Sequence, residues 1–309
     1  MLGALLAPQA VAIEVWGCAA LYVHWRGRIR HSLKRQLTDH STFFAPLNVL
    51  MYAASAVPNT PLLDARAFPD LEPLRQHWRD IRDEAAALLQ SGGIAPSEGH
   101  RDIAFNTFFA RGWRRFHLKW YGDALPSAEA HCPRTVALLR SIPTVRAALF
   151  AFLPAGGTLA KHRDPYAGSL RYHLGLITPN SDDCRIFVDG QPYAWRDGED
   201  VVFDETYIHS AYNRTATDRL ILFCDVERPL RGSVMRALNR FIATYVLRVT
   251  ASRNVSTERI GLVNRFSGRV YQTRRFFHRV KRANRRLYYA AKFTLIGVLG
   301  VLLLAGLIH

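Results

Sequence analysis

His162-Arg163-Asp164 sets an imidazole and a carboxylate two residues apart. On a β-strand, positions i and i+2 point to the same face, so both side chains can reach one metal ion. A third ligand must come from elsewhere, and His209 closes the run Phe203-Asp-Glu-Thr-Tyr-Ile-His209. Two histidines and one carboxylate on one side of an ion leave the opposite positions open. Fe(II) oxygenases need that arrangement to bind a cosubstrate and O2 together. An H-x-D pair alone is more often a hydrogen-bonded structural pair; the later histidine, after a strand-rich interval, turns the reading toward a metal.

Arg219 follows ten residues after His209 and opens an apolar run that ends at Val226. A guanidinium offers a planar fork to a carboxylate. At the deep end of a β-rich pocket it would bind the far carboxylate of 2-oxoglutarate, while the keto-acid end chelates iron. The alternative is a surface arginine paired with Asp218 or Asp225. Arg171 and His173 form a second same-face pair. His173 suits a neutral donor to the cosubstrate, and simple packing within the sheet is the competing use.

These residues need strands to hold them. Ala147–Leu153, Ser169–Ile177, Cys184–Val188, Asp200–Phe203 and Arg219–Val226 are short β-rich runs. Turn signals separate them at Pro154-Ala-Gly-Gly157, Pro179-Asn-Ser-Asp182, Asp189-Gly190 and Asp197-Gly198. Upstream, Glu72–Gln90 carries Leu74, Trp78, Ile81, Ala85 and Leu88 on one helical stripe, ended by Gly92-Gly93. Phe105–Tyr121 reads as an aromatic-rich strand and Cys132–Ser141 as a short helix, with residues 43–70 an irregular, proline-containing arm. The class is α+β, with a sandwich or barrel of short strands.

The chain has 41 Lys and Arg against 25 Asp and Glu, a formal charge of +16. Such a balance points to an anionic partner, and with no nucleic-acid reader motif present, anionic membrane lipids or a phosphorylated substrate are expected. Cys18, Cys132, Cys184 and Cys224 form no C-x-x-C pair, so reduced thiols are expected. Both ends are apolar. Residues 287–309 are long enough for a C-terminal transmembrane helix. Residues 1–25 suit an N-terminal membrane anchor, with an interfacial or core helix as the alternative because Glu14 lies within the stretch. Arg26, Arg28, Arg30, Lys34 and Arg35 follow the first segment, and a second basic cluster from Arg274 to Arg286 precedes the last. Both clusters are expected on the cytoplasmic side.

His162 to Leu176, Phe203 to His209, Arg219 to Pro229, Arg26-Gly-Arg28, Thr38 to Tyr52 and Val57-Pro58 together resemble the aspartyl/asparaginyl β-hydroxylase superfamily, and within it the bacterial lipid A hydroxylases. The resemblance implies a double-stranded β-helix (jelly roll) core at 144–230, flanked by helical parts at 26–143 and 231–286. It implies Fe(II) with 2-oxoglutarate and O2 as cosubstrates. His162 and His209 match the ligand histidines and Arg219 the cosubstrate arginine, with Arg171 and His173 as pocket neighbours. Asp164 stands where the animal branch generally has glycine, and Ala151 where a cosubstrate-binding serine is usual. The implied reaction is 2-hydroxylation of a secondary acyl chain of lipid A, a lipopolysaccharide precursor, at the cytoplasmic face of the bacterial inner membrane. A peptidyl-Asp/Asn hydroxylase and a non-catalytic lipid-binding jelly roll are the alternatives.

Overall fold

The computed structural model describes residues 8–96, 109, 112–291 and 294. Two antiparallel sheets form the centre. The larger runs in the order β1 (Leu62–Leu63), β8 (Asp200–Phe203), β5 (Ser169–Ile177), β10 (Arg219–Glu227), β3 (Val145–Leu153) and β2 (Arg114–Trp120). The smaller runs β4 (Thr158–His162), β9 (His209–Asn213), β6 (Cys184–Val188) and β7 (Gln191–Ala194). From β3 onward the chain passes back and forth between the sheets, as in a jelly roll. The five strands expected between 147 and 226 appear at or within two residues of their anticipated bounds, whereas the aromatic strand expected over 105–121 is shorter, starting at Arg114, with Phe109 helical and Gly112 in a turn. The edge strands β1 and β2 come from the N-terminal part of the chain.

Each face of the larger sheet buries a different set of side chains, as a period of two requires. One face carries Leu149, Ala151, Leu153, Val201, Phe203, Ile221 and Phe223 onto Cys184, Ile186, Val188 and Ala211 of the smaller sheet. The other carries Ala148, Phe150, Leu170, Tyr172, Leu174, Leu220, Leu222 and Cys224 onto the helices. The described helices of nine or more residues are α1 (Pro8–Trp25), α2 (Ala45–Ala53), α3 (Trp78–Gln90), α4 (Pro133–Ser141), α5 (Ser233–Ile242) and α6 (Leu262–Ala283). The stripe expected over 72–90 is real, but His77 interrupts it and divides Glu72–Gln76 from α3. Leu74, Ile81, Ala85 and Leu88 are buried; each large apolar side chain so placed stabilises by about 1.5–3 kcal/mol. Glu84 is buried beneath the start of α4, where its carboxylate accepts from the backbone N–H of Arg134 and Thr135, both at 2.9 Å, and from Thr135 Oγ1 at 2.6 Å. It thus satisfies amide donors that the first turn leaves open.

The segment expected as an irregular arm contains α2, with Pro46 in its first turn, a position a helix tolerates. Residues 105–108 of the expected aromatic strand lie outside the described residues. All four cysteines are free thiols. Among the described residues no helix is long and apolar enough to cross a membrane. Residues 1–7 of the expected N-terminal anchor lie outside the described residues. Glu14 and His24 lower the apolarity of α1, and Ala19 and Val23 are used to pack against Ala45, Met51 and Tyr52. Ile13, Val15, Leu21, Tyr22 and Trp25 remain exposed on α1. The expected C-terminal span lies outside the described residues, apart from 287–291 and 294.

The end of α1 is fixed to the sandwich by charge. Asp204 is fully buried and accepts from both Arg26 and Arg228, the latter at 2.8 Å, and from the backbone N–H of Thr206 at 3.0 Å. Arg26 also lies over the rings of Tyr52 and Tyr207, at 3.8 and 3.9 Å from their centroids. Burial alone would raise the Asp204 carboxyl; Arg228 and Arg26 outweigh it and hold it well below the usual range. Replacing Asp204 with Ala leaves two buried guanidiniums without their anion and is expected to cost about 3–5 kcal/mol, read by denaturant unfolding at neutral pH. Because the folded carboxyl is depressed, the stabilisation is full above the unfolded value of 3.8 and is lost as pH falls below it. Asp204→Ala and the wild type should therefore converge in stability under acid conditions.

Candidate metal centre

His162 ends β4 and is the register partner of His209, the first residue of β9. Their ring centroids are 4.2 Å apart. Asp164 lies just past the strand end rather than within it, where its backbone N–H donates to Glu205 O at 2.9 Å. One ligand atom from each of His162, Asp164 and His209 lies within 4.8 Å of the others. The three expected ligands therefore converge, with a reverse of the chain after β4, rather than strand alternation, delivering the carboxylate.

The donor chemistry fits a divalent transition metal. His162 Nδ1 lies 2.7 Å from Ala160 O, and His209 Nδ1 lies 3.0 Å from Tyr207 O. A carbonyl only accepts, so each Nδ1 carries the proton and each Nε2 keeps its lone pair for an ion. Burial makes both imidazoles harder to protonate, His209 down to about 3, so both are neutral at physiological pH. Burial would raise the Asp164 carboxyl, but Arg171, His209 and His162 outweigh it and keep it ionised. Two neutral imidazoles and one carboxylate suit iron(II).

Arg171 holds Asp164 in place. It donates to Asp164 Oδ2 at 2.6 Å and to Glu205, and its Nε lies 3.1 Å from Asp225 Oδ1 without hydrogen-bond alignment. Its guanidinium stacks 3.7 Å from the centroid of Phe223. Ser169 Oγ donates to Glu205 Oε1 at 2.7 Å, and Tyr121 OH donates to Asp225 Oδ2 at 2.8 Å. Burial pushes the Glu205 carboxyl well above its ordinary value, although Arg171 opposes it. Arg171, expected as a contact for the cosubstrate, is thus paired with three carboxyl groups around the cavity, one of them Asp164.

Arg219 has the opposite surroundings. It is 1 % exposed and lines the same cavity, yet among the described residues no carboxylate pairs with it. Its guanidinium sits 4.4 Å from the centroid of Trp195, one N–H reaches Ala151 O at 3.5 Å, and its Nε has no partner among the described residues. Asp218, one proposed partner, instead accepts from Ala155 N–H at 2.9 Å, and Asp225, the other, serves Arg171 and Tyr121. Burial lowers the Arg219 pKa to about 10, with only the Cys184 thiol opposing. A buried cation without its anion is costly, and a ligand carboxylate would complete it. His173 lies nearby, stacked on Phe223 at 5.3 Å and 5.9 Å from Trp195. Among the described residues neither of its ring nitrogens has a partner, and burial keeps it neutral.

The cavity that joins these groups has a volume of about 330 Å3. On β10, Arg219, Ile221, Phe223 and Asp225 all face it, as do Ser169, Arg171 and His173 on β5. At the rise of a strand, Arg219 and Asp225 are separated by about 20 Å. The same alternation in the sequence would have found Phe223 and Asp225, once Arg219 was taken as facing inward. Glu205 carries no signal in the sequence beyond its place in the run that leads to His209. Arg115, on β2, is buried and bonded to Ser252 Oγ at 3.1 Å.

Removing either histidine (His162→Ala or His209→Ala) should abolish tight Mn(II) binding in calorimetry, with the wild type taking up one equivalent. Arg171→Gln, which releases Asp164, should weaken it about 10–100-fold.

The family model described as "Aspartyl/Asparaginyl beta-hydroxylase" matches residues 75–229. An ornithine lipid ester-linked acyl 2-hydroxylase of Rhizobium tropici is 34 % identical over 177 residues, 56 % of this chain and 63 % of that protein. The human aspartate beta-hydroxylase domain-containing protein 2 is 27 % identical over 197 residues, 60 % of this chain and 52 % of that protein. The chain thus spans less than two thirds of the length of these relatives. A prolyl-4-hydroxylase structure from Pseudomonas putida is 20 % identical, covering 51 % of this chain and 88 % of that one, with a TM-score of 0.33. The family match takes in half of the chain, including His162, Asp164, Arg171, His173, His209 and Arg219, and on that basis the chain belongs to the aspartyl/asparaginyl β-hydroxylase family.

Proposed function

We propose that this protein is an Fe(II)- and 2-oxoglutarate-dependent dioxygenase that 2-hydroxylates an acyl chain of a membrane lipid. The observation that carries the reading is one cavity holding a His-Asp-His ligand set and a buried arginine that lacks a counter-anion. Iron(II) with 2-oxoglutarate and O2 supplies an oxidant that converts a C–H bond to C–OH as 2-oxoglutarate goes to succinate and CO2. His162, Asp164 and His209 hold the ion from one side. Arg219 binds the far carboxylate of the cosubstrate, and neutral His173 offers it a hydrogen bond. Arg171 fixes the carboxylate ligand. Trp113, Trp120, Leu159, Ile186, Ile221 and Phe223 make the lining largely apolar, which excludes water and suits an acyl chain better than a peptide.

The finer reading is a secondary acyl chain of lipid A, modified at the cytoplasmic face of the bacterial inner membrane. The charge of +16 suits a phosphorylated glycolipid in an anionic bilayer. The exposed apolar side chains of α1, with Leu33, Leu37 and Phe43 and the cations Arg28, Arg30, Lys34 and Arg35 close by in the chain, suit contact with such a surface. Each cation near anionic lipid contributes about 1 kcal/mol. The named activity of the Rhizobium relative favours a second lipid substrate, an ornithine lipid.

Mass spectrometry of both lipid classes from cells with and without the gene tests this. A gene-dependent acyl species heavier by one oxygen is expected in lipid A; its appearance only in ornithine lipid would move the substrate, and its absence from both would overturn the reading. For Arg219→Ala, loss of a charged hydrogen-bond pair of about 1.5–3 kcal/mol should raise the KM for 2-oxoglutarate roughly 10–100-fold, measured by succinate release. An unchanged KM would place the cosubstrate elsewhere.

A further inference from the structure

The wall of the cavity at the Asp225 end is supplied from outside the family-matched residues. After α5, Ala243–Leu247 forms a π-helical turn and Arg248–Thr250 a 3-10 turn. π-turns forfeit regular helical bonding and recur at functional sites. Here the turn delivers Leu247 and Thr250 into the cavity lining, beside Trp120, Tyr121 and Tyr166. Leu247 is also packed on the cluster that contains Tyr166 and the buried face of α1.

Polar groups fasten this wall without facing a ligand. Trp120 Nε1 donates to Thr250 Oγ1 at 3.1 Å, and that hydroxyl donates to Leu247 O at 2.7 Å. Both functions of the Thr250 hydroxyl are therefore met within the protein. Asn264 Nδ2 donates to Thr250 O at 2.7 Å, and Asn254 bonds both the backbone N–H and the carbonyl of His117 on β2, at 2.8 and 2.7 Å. The segment is held against β2 as a fixed part of the site. Just before Leu247, Tyr245 and Val246 are exposed.

We infer that Ala243–Thr250 seats the methylene chain of the substrate, with Leu247 setting the length of acyl chain that the cavity accepts. This rests on the acyl-hydroxylase reading, and the test separates the two. The full chain is used in a Trp16→Phe, Trp25→Phe, Trp78→Phe background, which leaves Trp113, Trp120 and Trp195 to report from the cavity. Binding is read by tryptophan quenching with lysophospholipids that carry brominated acyl chains of graded length. Affinity should rise about fourfold per added methylene until the seat is filled. Leu247→Phe should shift that limit about two carbons shorter and weaken the longest probe about tenfold. Leu247→Met, of similar volume, should keep the original limit. Should the phenylalanine variant not fold, Thr250→Leu crowds the same wall and must shorten the limit likewise. Equal limits in the wild type and the folded crowded variant, or no quenching by any chain, would overturn the inference. Hydroxylated lipid is measured separately: product with an unmoved limit removes the seat and keeps the enzyme, whereas a shifted limit without product keeps the seat and removes the enzyme.

Discussion

One buried guanidinium organises the catalytic half of this molecule. Arg171 gathers Asp164 from the loop after β4, Glu205 from the turn before β9 and Asp225 from β10. Without it, three carboxyls would crowd a low-dielectric cavity floor, and each would protonate or turn away. With it, Asp164 remains ionised and is aimed from behind, while burial drives Glu205 toward its neutral form. The ion pair therefore does more than join strands. It divides like groups into a ligand and its supports.

The other buried arginines show how surroundings decide the use of one residue type. Arg228 is fully enclosed, with its charge met by Asp204 and Ala167 O, and serves the fold. Arg219 is as deeply buried but faces an aromatic ring, and among the described residues no carboxylate pairs with it. In a folded protein such an imbalance is tolerable when a ligand removes it.

Much of this was legible in the sequence because strand alternation is a strict code. Arg219 heads a strand in the expected place, and the β5, β6 and β8 bounds coincide with the runs of apolar residues between turn signals. What the alternation could not convey was partnership across strands. Asp225 pairs with Arg171 through the β5–β10 register, a long-range property. Position relative to the sheet was also hidden at Asp164, which reaches the site from a loop. Local composition misled over residues 43–70, where prolines concealed α2.

The loop that carries Asp164 is secured by residues upstream of the family match. Arg163 donates to Val23 O at 3.1 Å, His40 Nε2 to Arg163 O at 2.7 Å, and Asn48 bonds Pro165 O and Ala167 N–H at 2.8 and 2.9 Å. Arg26 clamps the Asp204–Tyr207 turn that leads to His209. Homology and autonomy thus have different borders in this chain. A fragment trimmed to residues 75–229 would keep every ligand yet strip the scaffolding from both ligand loops. The smallest piece that can be transplanted, evolved or duplicated as a working unit must include α1 and α2.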